Sequence, residues 1–274
     1  MYFPHQPLFK NLNGYVEIIN NSHLINNIAL YYKFKMDEMN LEHIFVVPDG
    51  CIDIIFCCDK KNPTAHICGS VIKGKKVRLK TIFHLPNKTS SEFFGVRFFP
   101  GCANDFLRHP LKDFTDKEIP LTEAVENSWS LIDCIASQNN FNIQIEFFRD
   151  FLNRLYQNDT DSKIAKYFIY NIIKNNGIDK IDDLAKKFGY STRYICKIFE
   201  KYIGISPKLF SRVVRFQKSI EILSKYDQSR LGDLALELGY YDQSHFIREF
   251  KEFCWLTPYQ IANKKEVKLL LKDV

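Results

Sequence analysis

The sequence predicts an α+β chain of two domains. A β-rich N-terminal domain of sandwich or barrel type leads through a helical connector to an all-α C-terminal domain, in which two helix-turn-helix units are joined by a long helix. Three observations carry this. Short β-branched and aromatic runs dominate residues 1–120, and helical periodicity takes over from residue 121. Charge is split: residues 1–162 hold 17 Lys and Arg against 19 Asp and Glu, whereas 163–274 hold 21 against 13, a net −2 followed by a net +8. Finally, residues 181–207 recur, with matched punctuation, at 231–258.

The 274 residues are 46% apolar and 26% charged, a folded globular composition that excludes disordered and collagen-like chains. The best candidate for a membrane span, 44–58, is interrupted by Pro48-Asp49-Gly50 and Asp53 and falls short of the about 18 residues needed. The start, MYFPHQPLFK, has no basic region followed by an apolar one, which predicts no secretory signal and a cytoplasmic protein. In residues 1–120, two apolar runs flank the turn signature Pro48-Asp49-Gly50. The segments 77–85 and 92–99 read as strands, and 100–110 as a turn with a short helix. Within 121–160, Ala124, Val125, Trp129, Ile132 and Ile135, then Phe147, Phe148, Phe151, Leu152 and Leu155, lie at helical spacing, a connector that could also serve dimerisation. The polar run 157–162 marks the boundary to a domain at 161–263, and 264–274 reads as a tail.

The repeat can be read physically. Asp183/Asp233, Leu184/Leu234, Ala185/Ala235, Gly189/Gly239 and Tyr190/Tyr240 match at an offset of 50; Phe199/Phe250 and Pro207/Pro258 match at 51. Each copy is a short helix ended by glycine, which tolerates the left-handed backbone that terminates helices. Ser191 or Asp242 then caps a second helix, and Ser206-Pro207 or Thr257-Pro258 opens the next. This is the helix-turn-helix pattern, whose second helix enters the major groove of duplex DNA. Ile195, Ile198, Phe199 and Tyr202 form the inner face of the first recognition helix; Phe246, Phe250 and Phe253 form that of the second. The outward, candidate base-contacting residues are Thr192, Arg193, Cys196 and Lys197 in one copy and Gln243, Ser244, Ile247 and Arg248 in the other. Arg and Lys suit guanine, Gln suits adenine, and Ile247 suits a thymine methyl. His245 reads as structural, near the inner face. The connecting helix, 208–226, offers Arg212, Arg215 and Lys218 off its apolar stripe as candidate phosphate contacts.

Residues 163–262 resemble the DNA-binding domain of AraC/XylS-type bacterial transcription regulators. The hallmark is LALELGYYDQSHFIREFKEFCWLTP in the second unit. Trp255 stands where that family usually has glycine, a residue the first copy keeps as Gly204. The elements at 46–56, 95–107 and 114–121 resemble an uncharacterised N-terminal domain attached to some of these regulators. The resemblance implies a sequence-specific regulator, more an activator than a repressor. Its partners would be double-stranded DNA, RNA polymerase, a small-molecule effector and a second copy in a homodimer, with no membrane partner and no cofactor.

Other constellations are weaker. Cys51, Cys57, Cys58, His66 and Cys68 would allow a metal- or redox-responsive thiol sensor with DNA binding as readout, although their spacing fits no standard metal site, and core packing explains them more simply. A helical protein-interaction module is a further alternative. Arg97, in an apolar strand, calls for a buried carboxylate or an anionic effector. No G-x-S-x-G, H-E-x-x-H, P-loop or G-x-G-x-x-G motif occurs, so no enzyme is expected.

Overall fold

The computed structural model describes residues 4–6, 12–19, 27–36, 44–85, 90–107, 109–155, 160–223 and 231–262. The strands are β1 (Val16–Ile19), β2 (Ile28–Met36), β3 (Ile44–Val46), β4 (Ile52–Cys57), β5 (Thr64–Cys68), β6 (Lys75–Val77), β7 (Ser91–Phe98) and β8 (Glu118–Pro120). Six form one antiparallel sheet in the order β1-β2-β7-β4-β5-β8, and β3 pairs with β6 in a small second sheet. The two apolar runs around Pro48-Asp49-Gly50 therefore lie in different sheets, and Gly50 turns between them in the left-handed region (φ +72°).

The central strands are apolar on both faces because both faces are covered. Tyr31, Ile54, Phe56, Phe94 and Val96 point to one core; Tyr32, Phe34, Ile55, Cys57 and Phe93 point to the other. The second core is closed by β3, β6 and the short helix α1 (Leu79–Ile82). The sequence predicts a strand through 77–85. Burial of Leu79 and Phe83, four apart on one helical face, wins over the β-branched composition.

The first core is closed by helices. After α2 (Asn104–Leu107) and a 3-10 turn at Leu111–Phe114 come α3 (Leu121–Ala124), α4 (Ser128–Ala136) and α5 (Phe141–Leu155). Val125, Leu131, Ile132, Ile135, Ile145, Phe148 and Leu152 pack onto the sheet, so the segment expected as a connector shares the core of the β-rich part. Trp129 does not join them: it is 62% exposed on the outer face, with Ile143 and Phe147 also exposed.

The remaining helices are α6 (Thr160–Lys174), α7 (Ile181–Lys187), α8 (Thr192–Tyr202), α9 (Pro207–Leu223), α10 (Leu231–Glu237), α11 (Gln243–Cys254) and α12 (Pro258–Ala262). They share a single core built from α6 through α11, into which Val47 of the β-rich part inserts. Residues 157–159 of the expected boundary, 224–226 of the expected connecting helix, and the expected tail at 264–274 lie outside the described residues. Among the described residues, no helix is long and apolar enough to cross a membrane.

Candidate nucleic-acid interface

The two helix-turn-helix units are built by the same local devices at matching positions. Gly189 (φ +76°) and Gly239 (φ +75°) end α7 and α10 in the left-handed conformation. Ser191 Oγ accepts from the Tyr194 N–H at 3.2 Å, and Asp242 Oδ1 accepts from the His245 N–H at 2.7 Å, so each recognition helix, α8 or α11, starts on a side-chain cap. Such caps contribute about 1 kcal/mol each. Ser206 Oγ accepts from the Leu209 N–H at 3.2 Å, and Thr257 Oγ1 from the Gln260 N–H at 3.1 Å, repeating the device one helix later.

The change of offset from 50 to 51 falls on Tyr241, the one residue inserted in the second turn, and it is 87% exposed. This residue was not among the expected contacts, although the offset change marks it in the sequence. Arg193, Lys197, Gln243, Ser244 and Arg248 are exposed on the outer faces of α8 and α11, while Thr192, Cys196 and Ile247 are half-buried. The Thr192 hydroxyl donates to Asp182 of α7 at 2.7 Å, which ties the two helices of the first unit and leaves that oxygen only acceptor capacity. His245 is exposed with its ring edge-on to Tyr240, not turned inward as expected: the α11 face that is buried runs through Phe246, Glu249, Phe250 and Phe253.

The three basic residues of α9 divide. Lys218 is half-exposed and pairs with Glu221 at 2.9 Å. Arg212 and Arg215 instead turn across to α11. Arg212 Nε donates to Glu249 at 2.7 Å and Arg212 Nη2 to Glu252 at 2.8 Å; Arg215 lies 3.6 Å from Glu249. Glu249 is buried and also accepts the Tyr240 hydroxyl at 2.9 Å. Burial, then the adjacent carboxylate, holds the Tyr240 phenol well above its ordinary range, so it stays a donor. Arg212 and Arg215 further lie over the rings of Phe253 and Tyr240. With their charge directed at Glu249, they brace the second recognition helix against α9. An arginine three dozen residues from its partner carries no local signal of that pairing.

In the β-rich part, Arg97 meets Asp53 through two bonds of 2.8 and 2.6 Å and lies 3.5 Å from Asp49; Arg97 and Asp49 are buried and Asp53 is partly exposed. A structural ion pair thus satisfies it. Beside this group lies a small cavity of about 40 Å³, lined among others by Val46, Val71, Lys75, Val77 and Glu118. The clustered thiols are poorly suited to redox chemistry, because burial pushes Cys57 up to about 11 and Cys58 up to about 12, and raises Cys51 and Cys68 as well.

Residues 184–264 match the family model described as a helix-turn-helix domain. An uncharacterized HTH-type transcriptional regulator of Haemophilus influenzae is 38% identical over 80 residues, which are 29% of this chain and 26% of that protein. The probable transcription factor PqrA of Proteus vulgaris is 35% identical over 95 residues, 35% of this chain and 76% of that factor. The chain belongs to the AraC family of helix-turn-helix regulators. As a member of the AraC family it is a DNA-binding transcriptional regulator. Its β-rich part, over residues 17–120, matches a domain of unknown function. The solved structure of ToxT from Vibrio cholerae is 12% identical, with 89% of this chain and 98% of that one covered at a TM-score of 0.42.

Proposed function

We propose that this AraC-family chain is a cytoplasmic activator that reads two successive major grooves of one promoter site. The first block would be read by Thr192, Arg193, Cys196 and Lys197, the second by Gln243, Ser244, Ile247 and Arg248. One observation supports this above the rest: equivalent caps and glycine turns present equivalent rows of side chains on α8 and α11. Between them α9 has 17 residues, a rise of about 25 Å, comparable to the ~34 Å between successive grooves. Lys218 stays in the phosphate-contacting set, whereas Arg212 and Arg215 serve α11. Residues 1–120 act as the regulatory domain, 161–263 as the DNA-binding domain. A small-molecule effector would have to widen the small cavity beside Arg97 to enter it, and the exposed Trp129, Ile143 and Phe147 give a face for a homodimer. RNA polymerase is the further partner of an activator. The reading includes neither catalysis nor a cofactor.

The reading is tested by titrating a selected promoter duplex and a random duplex at two salt concentrations. Arg248→Ala is expected to weaken the selected duplex by about 1–3 kcal/mol, a factor of roughly 5 to 150, and to leave random-duplex binding nearly unchanged. Lys218→Ala should weaken both alike and flatten the salt dependence by about one counterion. Equal losses on both duplexes for Arg248→Ala would remove that residue from base reading.

A further inference from the structure

One loop of the β-rich part touches both helix-turn-helix units. Residues 69–74 connect β5 to β6, and the stretch that makes the contacts is 70–75, ending on the first residue of β6. The loop is fixed at its root: the Asp116 N–H donates to the Ser70 carbonyl at 3.0 Å, Asp116 Oδ1 accepts from the Ile72 N–H at 3.1 Å, and Lys75 pairs with Glu118 at 2.6 Å. At one end, the Ser70 hydroxyl lies 3.2 Å from the carbonyl oxygens of both Cys51 and Ile203. The next residue, Gly204, has its carbonyl bonded by the Thr115 hydroxyl at 2.7 Å. At the other end, Gly74 lies so close to the end of α11 that a Cβ on it would stand 2.5 Å from the Phe253 carbonyl oxygen. Beside it, Lys73 lies 3.8 Å from Glu252, and Phe45 meets the Trp255 ring edge-on at 5.7 Å.

The two gripped points lie within a residue or two of each other in the repeat, Ile203 and Gly204 in one copy and Phe253 and Cys254 in the other. At the offset of 51, Ile203 corresponds to Cys254 and Gly204 to Trp255, so each grip falls on the backbone that leaves a recognition helix. Both positions are left-handed, at φ +88° for Gly204 and +60° for Trp255. A loop in contact with the ends of both recognition helices ties their angle and distance a second time, beside the ties that α9 and the shared core already make.

We propose that the loop 70–75, with Thr115, is a positioning element that sets the relative orientation of the two recognition helices and thereby the spacing between the two DNA blocks the chain accepts. This rests on the two-block reading above. Each added base pair moves the second block by about 3.4 Å and turns it by about 35°, so a fixed pair of helices accepts one spacing.

The experiment uses the full chain and a two-block duplex whose spacer is varied by one base pair at a time, beside duplexes carrying either block alone. Wild-type protein is expected to prefer one spacing by about tenfold. In Gly74→Ala, and separately in Ser70→Ala/Thr115→Val, the preference should fall to about threefold or less, with affinity for each single block unchanged. The second variant removes only two hydroxyl groups and carries the test if the first does not fold. Folded variants that keep the wild-type spacing profile, or that lose affinity equally at every spacing, would overturn the proposal. Wild-type protein with no two-block preference would overturn the underlying reading and the proposal with it, a result visible before any variant is made.

Discussion

Replacing Arg97 with methionine is expected to destabilise the β-rich part by about 3–5 kcal/mol, because it takes the guanidinium from the buried Asp49 and from the partly exposed Asp53. The Gln6 amide at 2.8 Å and the Cys51 N–H at 2.9 Å, which also bond Asp49, are neutral and do not replace a guanidinium. The loss depends on pH. Burial already raises the Asp49 carboxyl above its ordinary value, and removal of Arg97 raises it further. A carboxyl whose folded pKa lies above its unfolded one favours the fold while protonated. That contribution is full below the unfolded value and is lost as pH rises toward the folded one. The Arg97→Met deficit in urea unfolding should therefore be largest at neutral pH and shrink as pH falls toward the usual carboxylate range. Adding Asp53→Asn should recover part of it. A deficit below about 1 kcal/mol at neutral pH would mean that the pair contributes no more than an exposed one.

Glu249→Ala is the second large effect, again about 3 kcal/mol or more, and it should act on the second unit. The substitution orphans the buried Tyr240 hydroxyl, takes from Arg215 the carboxylate it faces, and leaves Arg212 only the more exposed Glu252. Glu249→Gln keeps an acceptor oxygen and is expected to fall between wild type and Ala. Hydrogen exchange is the measurement: amides of α10 and α11 should lose protection, while those of α7 and α8 change little. Uniform loss across both units would show that the network does not belong to the second unit in particular. Arg215→Ala belongs to the same set. Its effect on DNA binding is expected through the position of α11, with no change in salt slope.

The helical half was legible in the sequence because its determinants are local. A glycine, a cap two or three residues on and a Ser-Pro or Thr-Pro pair define each unit within about 25 residues, and the duplication removes the ambiguity of a single copy. The outward rows followed from the same periodicity. What stayed hidden depends on distant pairings. Nothing near Arg212 or Arg215 announces Glu249, and nothing near Ile44 shows that β3 pairs with β6 instead of continuing past the turn into β4. Trp129 sits at helical spacing with core residues yet faces out, since the apolar stripe of α4 is filled by Leu131, Ile132 and Ile135. The α1 segment read as a strand because its composition is that of a strand; only the facing core decides for a helix. The grip on both unit ends is likewise invisible until the loop after β5 is placed in space.

The central claim, that one chain reads two blocks of bases, is tested most directly by incubating the purified protein with fragmented genomic DNA under excess competitor at two salt concentrations and sequencing what is retained. The account predicts a shared motif of two conserved blocks about one helical turn, ~10 base pairs, apart, retained less strongly at the higher salt. A motif with a single block, or no enrichment over random sequence at either salt, would contradict it.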